Sequence, residues 1–252
     1  GGAEQRGEEM AAIEGVLHAR RTDPRLADWL AKARAPDAAG NRALDLISRA
    51  YLRSARVPAK LAAEIARTTS VAQGIWAEAR ASDDVAMFLP TLEKVLALLR
   101  EKAQALADGG DPYDALMDEY EPGTTGAEIA AMFAAMRPRL VALREAVLGA
   151  SHQPPALSGR FHRDGQIALA REAADGFGYD WTRGRLDFAV HPFSSGSGND
   201  VRITTRIVES DPFNCLYSTI HEVGHACYEQ GVDQAHHLTP LGRGTSMGVH
   251  ES

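Results

Sequence analysis

The chain has 252 residues and a mass of 27.1 kDa, enough for one large domain or two small ones. Its 44% hydrophobic content can fill a core of that size, and its net charge of 27 − 34 = −7 disfavours a nucleic-acid partner that needs a broad basic face. No run of 18 apolar residues appears, so no membrane-spanning helix is expected, and two cysteines, Cys215 and Cys227, cannot build a disulfide framework. Gly1-Gly2-Ala3-Glu4-Gln5-Arg6 opens without an initiator Met and without the basic and apolar regions of a signal peptide. Gly248-Val249-His250-Glu251-Ser252 closes without turn residues. The expectation is a piece of a longer protein, cut at both ends.

From residue 4 to about 150 the composition predicts successive helices, forming a helical lobe over 1–150. Met10, Ile13, Val16 and Leu17 follow i, i+3, i+4 spacing. Helices are then predicted over Arg25–Arg34, Asn41–Ala55 and Pro58–Arg80, the last with a stripe through Leu61, Ile65, Thr68, Ala72, Ile75 and Ala79. A further helix over Pro90–Leu106 turns Leu92, Val95, Leu96 and Leu99 inward and ends at Gly109-Gly110. Asp111-Pro112 starts a short helix. The Thr125–Glu128 capping box starts one that runs to about Val147, and Pro138 should kink or split it.

Gly149–Phe161, with Pro154-Pro155, reads as a linker. The remainder, 151–252, is expected to belong to the same catalytic domain. Gln166–Phe177 is amphipathic and closed by Gly178. Arg185–His191 and Asp200–Ile207 both alternate strictly, which predicts a β-hairpin of those two strands around a Ser/Gly loop at 194–199.

Ser210-Asp211-Pro212 predicts the start of a helix over Phe213–Gln230, ending at Gly231. It contains His221-Glu222-Val223-Gly224-His225. A spacing of four puts both imidazoles on one helix face, about a turn apart, so that both reach one metal. Glu222 is offset by roughly 100° and can take a proton beside the metal's open position. Neutral imidazoles with redox-inert hydrolysis favour Zn²⁺. Gly224 costs about 1 kcal/mol of helix propensity against Ala, which suggests a close approach to the backbone. A hydrolytic zinc site needs a third protein ligand. Spacing leaves Glu251, in a helix starting near Thr245 or Ser246, beside His236 and His237, in a loop.

The segment from His221 to Gly231 resembles the zinc helix of the thermostable carboxypeptidase Taq family, the M32 metallocarboxypeptidases. His191-Pro192-Phe193 resembles that family's HPF motif, Asp200–Arg206 its DxRxT motif, and Val249–Ser252 the start of its HES segment. The resemblance covers nearly the whole chain, as the N-terminal half of a family about twice this length. It implies a mainly α fold: a multi-helix, gluzincin-like lobe of the M2/M3/M32 type, with a small antiparallel sheet beside the HExxH helix. It implies His221, His225 and Glu251 as zinc ligands and Glu222 as general base. The implied activity is release of single residues from peptides with a free C-terminus, by a cytosolic homodimer binding neither nucleic acid nor membrane. The missing half leaves the fragment's own activity and metal content open.

An exopeptidase must read a free carboxylate, which suits the planar, bidentate guanidinium. Arg202 and Arg206 lie on the polar strand face with His191, and all three are candidate substrate contacts. The rival readings are a related zinc endopeptidase and a helical peptide-binding module with a structural metal. His18, His152 and His162 read as isolated histidines, and Asp118–Glu121 as a solvated helix end.

Overall fold

Capping residues set several element boundaries in the computed structural model, which describes residues 2–252. The first compact unit closes at Gly126 and the second opens at Ala127.

The first unit is helical: α1 (Ala3–Arg21), α2 (Pro24–Lys32), α3 (Ala38–Arg56), α4 (Ala59–Ala81), α5 (Val85–Ala107) and α6 (Pro112–Met117). Asp111 accepts from the Tyr113 and Asp114 amides at 2.7 and 3.1 Å and starts α6 as its sequence predicts. The α4 stripe also matches, with Leu61, Thr68, Ala72 and Ala79 buried. Leu61 packs with Val57 and Leu106 in one core cluster.

Three expectations need correction. α1 packs on α4 through Gly7 and Ala11, while Met10, Ile13, Val16 and Leu17 are exposed. The two backbones approach so closely that a Cβ on Gly7 would stand 3.3 Å from the Arg67 carbonyl, so small residues define the contact face. α5 begins five residues before Pro90 because Asp84 caps it, accepting from the Met87 amide at 3.2 Å. The cap is worth less than an interior proline costs, so the rest of this 23-residue helix must offset Pro90. Asp118 is a half-buried anchor rather than a solvated end, held at 2.7 Å by both Arg49 and Arg53. Burial pushes its pKa up, but the Arg49 guanidinium, the Gly123 amide and Arg53 prevail, and the net shift is downward.

The second unit holds α7 (Gly126–Leu148, from the boundary onward), α8 (Arg163–Phe177), β1 (Leu186–Phe188), β2 (Ser194–Ser197), β3 (Asp200–Thr205), α9 (Pro212–Gly231) and α10 (Met247–His250). α7 runs unbroken past Pro138. The sheet order is β1-β3-β2. The hairpin partner of β3 is the Ser/Gly segment β2, from Ser194↔Ile203 to Ser197↔Asp200, whereas β1 runs parallel to β3. The two-residue Gly198-Asn199 turn explains this: Gly198 takes φ +61°, and such a turn joins its immediate neighbours. Gly196, at φ +125°, is obligatory, since a Cβ there would lie 1.9 Å from the Asp200 carbonyl. Phe188 and Val190 are consequently exposed.

Val201 and Ile203 of β3 are fully buried against Val223 and Ala226 of α9 and Ala174 of α8, with Tyr179 closing the cluster. Tyr179 donates to the Val201 carbonyl at 2.7 Å. This core fixes α9 on the sheet. Among the described residues, no helix is long and apolar enough to cross a membrane.

Candidate metal centre

Asp211 accepts from the Phe213 amide at 3.1 Å and Pro212 occupies the first turn, so α9 starts where the sequence predicts. Its core-facing stripe is Cys215, Thr219, Glu222, Val223, Ala226 and Gln230. His221 and His225 flank that stripe. Their Nε2 atoms stand 3.1 Å apart. Ser246 then caps α10, accepting from the Val249 amide at 3.2 Å, and the chain returns to α9. Glu251 follows α10, with carboxylate oxygens 3.5 Å from His221 Nε2 and 3.7 Å from His225 Nε2.

His221, His225 and Glu251 thus form a group able to hold a metal ion, one ligand atom from each within 4.8 Å of the others. Ligands held tetrahedrally at 2.0–2.1 Å from one centre stand roughly 3.3–3.4 Å apart. The two Nε2 atoms stand within a few tenths of an ångström of that spacing and each meets one of the two Glu251 oxygens at 3.5 or 3.7 Å, so two imidazoles and a carboxylate fit a borderline-soft divalent ion. The His221 and Glu251 side chains are 53% and 46% exposed, whereas His225 is 13% exposed, so the centre opens to solvent on one side.

Glu222 is 6% exposed. Burial raises the pKa of its carboxyl, while His221, His225 and His191 oppose the rise and Glu251 adds to it. His191, itself exposed, is therefore close enough for its charge to act on Glu222. Gly224 is exposed, with nothing within 4 Å of a notional Cβ. The close backbone approach expected there is absent among the described residues.

The two arginines are engaged elsewhere. Arg202, on the exposed face of β3, pairs with Asp200 at 2.8 and 2.9 Å. Arg206 donates to Asn214 Oδ1 at 2.8 Å, joining the end of β3 to the first turn of α9. His236 lies in a 3₁₀ turn and His237 after it, the latter at 3.1 Å from the Val232 carbonyl; neither is in the metal-capable group. Sequence reasoning gave no role to His250 or Glu229. His250 Nδ1 is 2.8 Å from His225 Nδ1, and His250 Nε2 is 3.2 Å from Glu229 Oε1. One signal was available: a ligating imidazole needs a partner at its other nitrogen, and Glu229 lies one turn beyond His225.

The profile of the carboxypeptidase Taq (M32) metallopeptidases matches residues 1–252. Thermostable carboxypeptidase 1 of Thermus thermophilus is 41% identical over 272 aligned positions, covering 100% of this chain and 53% of that protein. Carboxypeptidase 1 of Bacillus subtilis is 34% identical, covering 84% of this chain and 43% of its own length. The crystal structure of the M32 carboxypeptidase from Deinococcus radiodurans superposes with a TM-score of 0.82 at 38% identity, covering 99% of this chain and 51% of that one. Trypanosoma cruzi metallocarboxypeptidase 1 gives 0.77 at 33%, covering 99% and 52%. The chain therefore spans about half the length of the relatives it matches. With the profile matching residues 1–252 and this donor set present, the chain belongs to the carboxypeptidase Taq (M32) family of metallopeptidases.

Proposed function

We propose that this chain carries the zinc centre and general base of a metallocarboxypeptidase that releases single residues from peptide C-termini. The carrying observation is the convergence of His221, His225 and Glu251 beside a buried Glu222. His221 and His225 contribute Nε2 and Glu251 a carboxylate oxygen, leaving one corner for water and substrate. Lewis acidity toward that water and the scissile carbonyl is what zinc supplies when bound. Glu222 takes the proton of the attacking water and passes it to the leaving amine. Desolvation of Glu222 suits that task, because a raised carboxyl pKa makes it a stronger base and a competent acid in turn.

His191, exposed and close enough for its charge to act on Glu222, is the candidate substrate contact beside it. Arg202 can read the peptide carboxylate only by releasing Asp200, a pair that is exposed and therefore inexpensive to break. Arg206 holds Asn214 and is the weaker candidate. The reading extends to a cytosolic homodimer, which gel filtration and cell fractionation test.

The experiment is Glu222→Gln in the full natural chain, assayed for zinc content and for residue release from free and amidated peptides. Zinc is expected to stay near one per chain while the release rate falls by a factor of about 10² or more. A variant that keeps its rate removes Glu222 from this role, and cleavage of the amidated peptide points to an endopeptidase instead.

A further inference from the structure

We infer that Glu229 and His250 form a carboxylate–imidazole relay that positions His225 for metal, a role that rests on the zinc reading above. For His225 to present the Nε2 lone pair to a cation, its proton must sit on Nδ1. Two acceptors meet that proton: the His250 carbonyl at 3.0 Å and His250 Nδ1 at 2.8 Å. For His250 Nδ1 to accept, its own proton must sit on Nε2. That nitrogen lies 3.2 Å from Glu229 Oε1, where a carboxylate can accept it. The opposite tautomer of His250 would set one N–H against another across 2.8 Å. Each proton is therefore placed by the next acceptor along the line Glu229, His250, His225.

The relay is sheltered while the ligands beyond it are open. The side chains of Glu229, His250 and His225 are 20%, 18% and 13% exposed, against 53% for His221. The rings of His225 and His250 lie 4.7 Å apart and within 22° of parallel, so the two imidazoles are oriented together. Tyr228 backs His250, with ring centroids 4.7 Å apart, and its hydroxyl accepts from the Thr245 amide at 3.2 Å. Residues 225, 228 and 229 of one helix therefore hold the segment that delivers Glu251. The division of labour is asymmetric: His225 is oriented from behind, and His221 closes on the ion from the solvent side.

Outer partners of metal-bound histidines are typically worth about 10–100-fold in metal affinity. The test compares His250→Ala, Glu229→Ala, their double variant, His250→Asn and Tyr228→Phe in the full natural chain. Zinc affinity is measured against a chromophoric chelator, and coordination by the visible spectrum of the cobalt(II)-loaded protein. Each alanine variant is expected to bind zinc about 10-fold more weakly with an altered cobalt spectrum. The double variant should be no weaker than the weaker single, because the two act in series. His250→Asn, which restores an acceptor near the Nδ1 position, should recover affinity to within ~3-fold of wild type. Tyr228→Phe, which keeps the ring against His250 and removes only the hydroxyl that the Thr245 amide meets, should weaken zinc binding less than either alanine variant. Wild-type affinity and spectrum in both alanine variants overturn the relay while the zinc reading stands. A folded wild-type chain that takes up no zinc overturns the zinc reading and the relay together.

Discussion

α7 and α9 are nearly equal in length, 23 and 20 residues, yet they bury very different faces. α7 carries Phe133, Met136, Leu140, Val141 and Leu143, all exposed, and none of its residues is buried. α9 buries six residues, and three of them are polar. Hydrophobic content therefore does not decide which helix is inside; what lies against it does. β3 and α8 cover α9, and polar groups are admitted there because they find partners. Thr219 donates to the Cys215 carbonyl at 2.8 Å, and Gln230 exchanges hydrogen bonds with the Asp180 backbone at 2.9 and 3.0 Å. Glu222 is the exception: among the described residues nothing hydrogen-bonds its carboxylate. An acid that gains no hydrogen-bond partner from this packing accords with the general-base role proposed for Glu222.

The contrast can be broken most directly at the proposed ligands. Replacing His225 with Ala is expected to lower zinc affinity by more than the ~100-fold that limits the loss of a supporting residue. Phe133→Ala on α7 should leave affinity unchanged; metal titration of both variants checks this. Next comes packing. Ile203→Ala, at a fully buried position, should cost about 2–5 kcal/mol in urea unfolding, against no more than ~0.5 kcal/mol for Phe133→Ala. Equal losses would mean that α7 is covered after all.

A smaller effect separates the α9 core by pH. Burial, aided by the charge of Asp200, pushes the Tyr179 hydroxyl up to about 12. Its neutral form is favoured in the folded state, so that stability is complete below about pH 10 and is lost as pH rises through about 12. Tyr179→Phe should lose ~1 kcal/mol at neutral pH with its hydrogen bond and then show a flatter alkaline limb, read by unfolding at pH 8 to ~11. The smallest change is expected from Gly224→Ala. With open space at the notional Cβ, it should stabilise α9 by up to ~1 kcal/mol and leave zinc affinity unaltered. A loss of affinity there would reveal an approach to the backbone that the described residues do not show.

Much of the site was legible because its signals are local. Asp211-Pro212 fixes the start of α9, and the four-residue histidine spacing fixes a shared face. Glu251 was harder, since the length between it and α9 says nothing of where the chain returns. His250 and Glu229 escaped because their pairing depends on that return. The fold was legible in helix existence and less so in faces. Met10, Ile13, Val16 and Leu17 have a helical period, but period cannot reveal that Gly7 and Ala11 let α1 approach α4 closely. The hairpin was misassigned because alternation outweighed the Gly198-Asn199 turn, although that turn joins only its own neighbours.

The return of α10 to α9 carries a consequence beyond chemistry. An ion gripped by His221 and His225 on one side and Glu251 on the other would act as a clasp, closing the intervening stretch into a loop and removing the freedom it has without the ion. Chelation should then do more than silence the centre. It should loosen α10 from α9, making residues 232–251 more open to proteolysis and faster in amide exchange, while the β3 core keeps its protection.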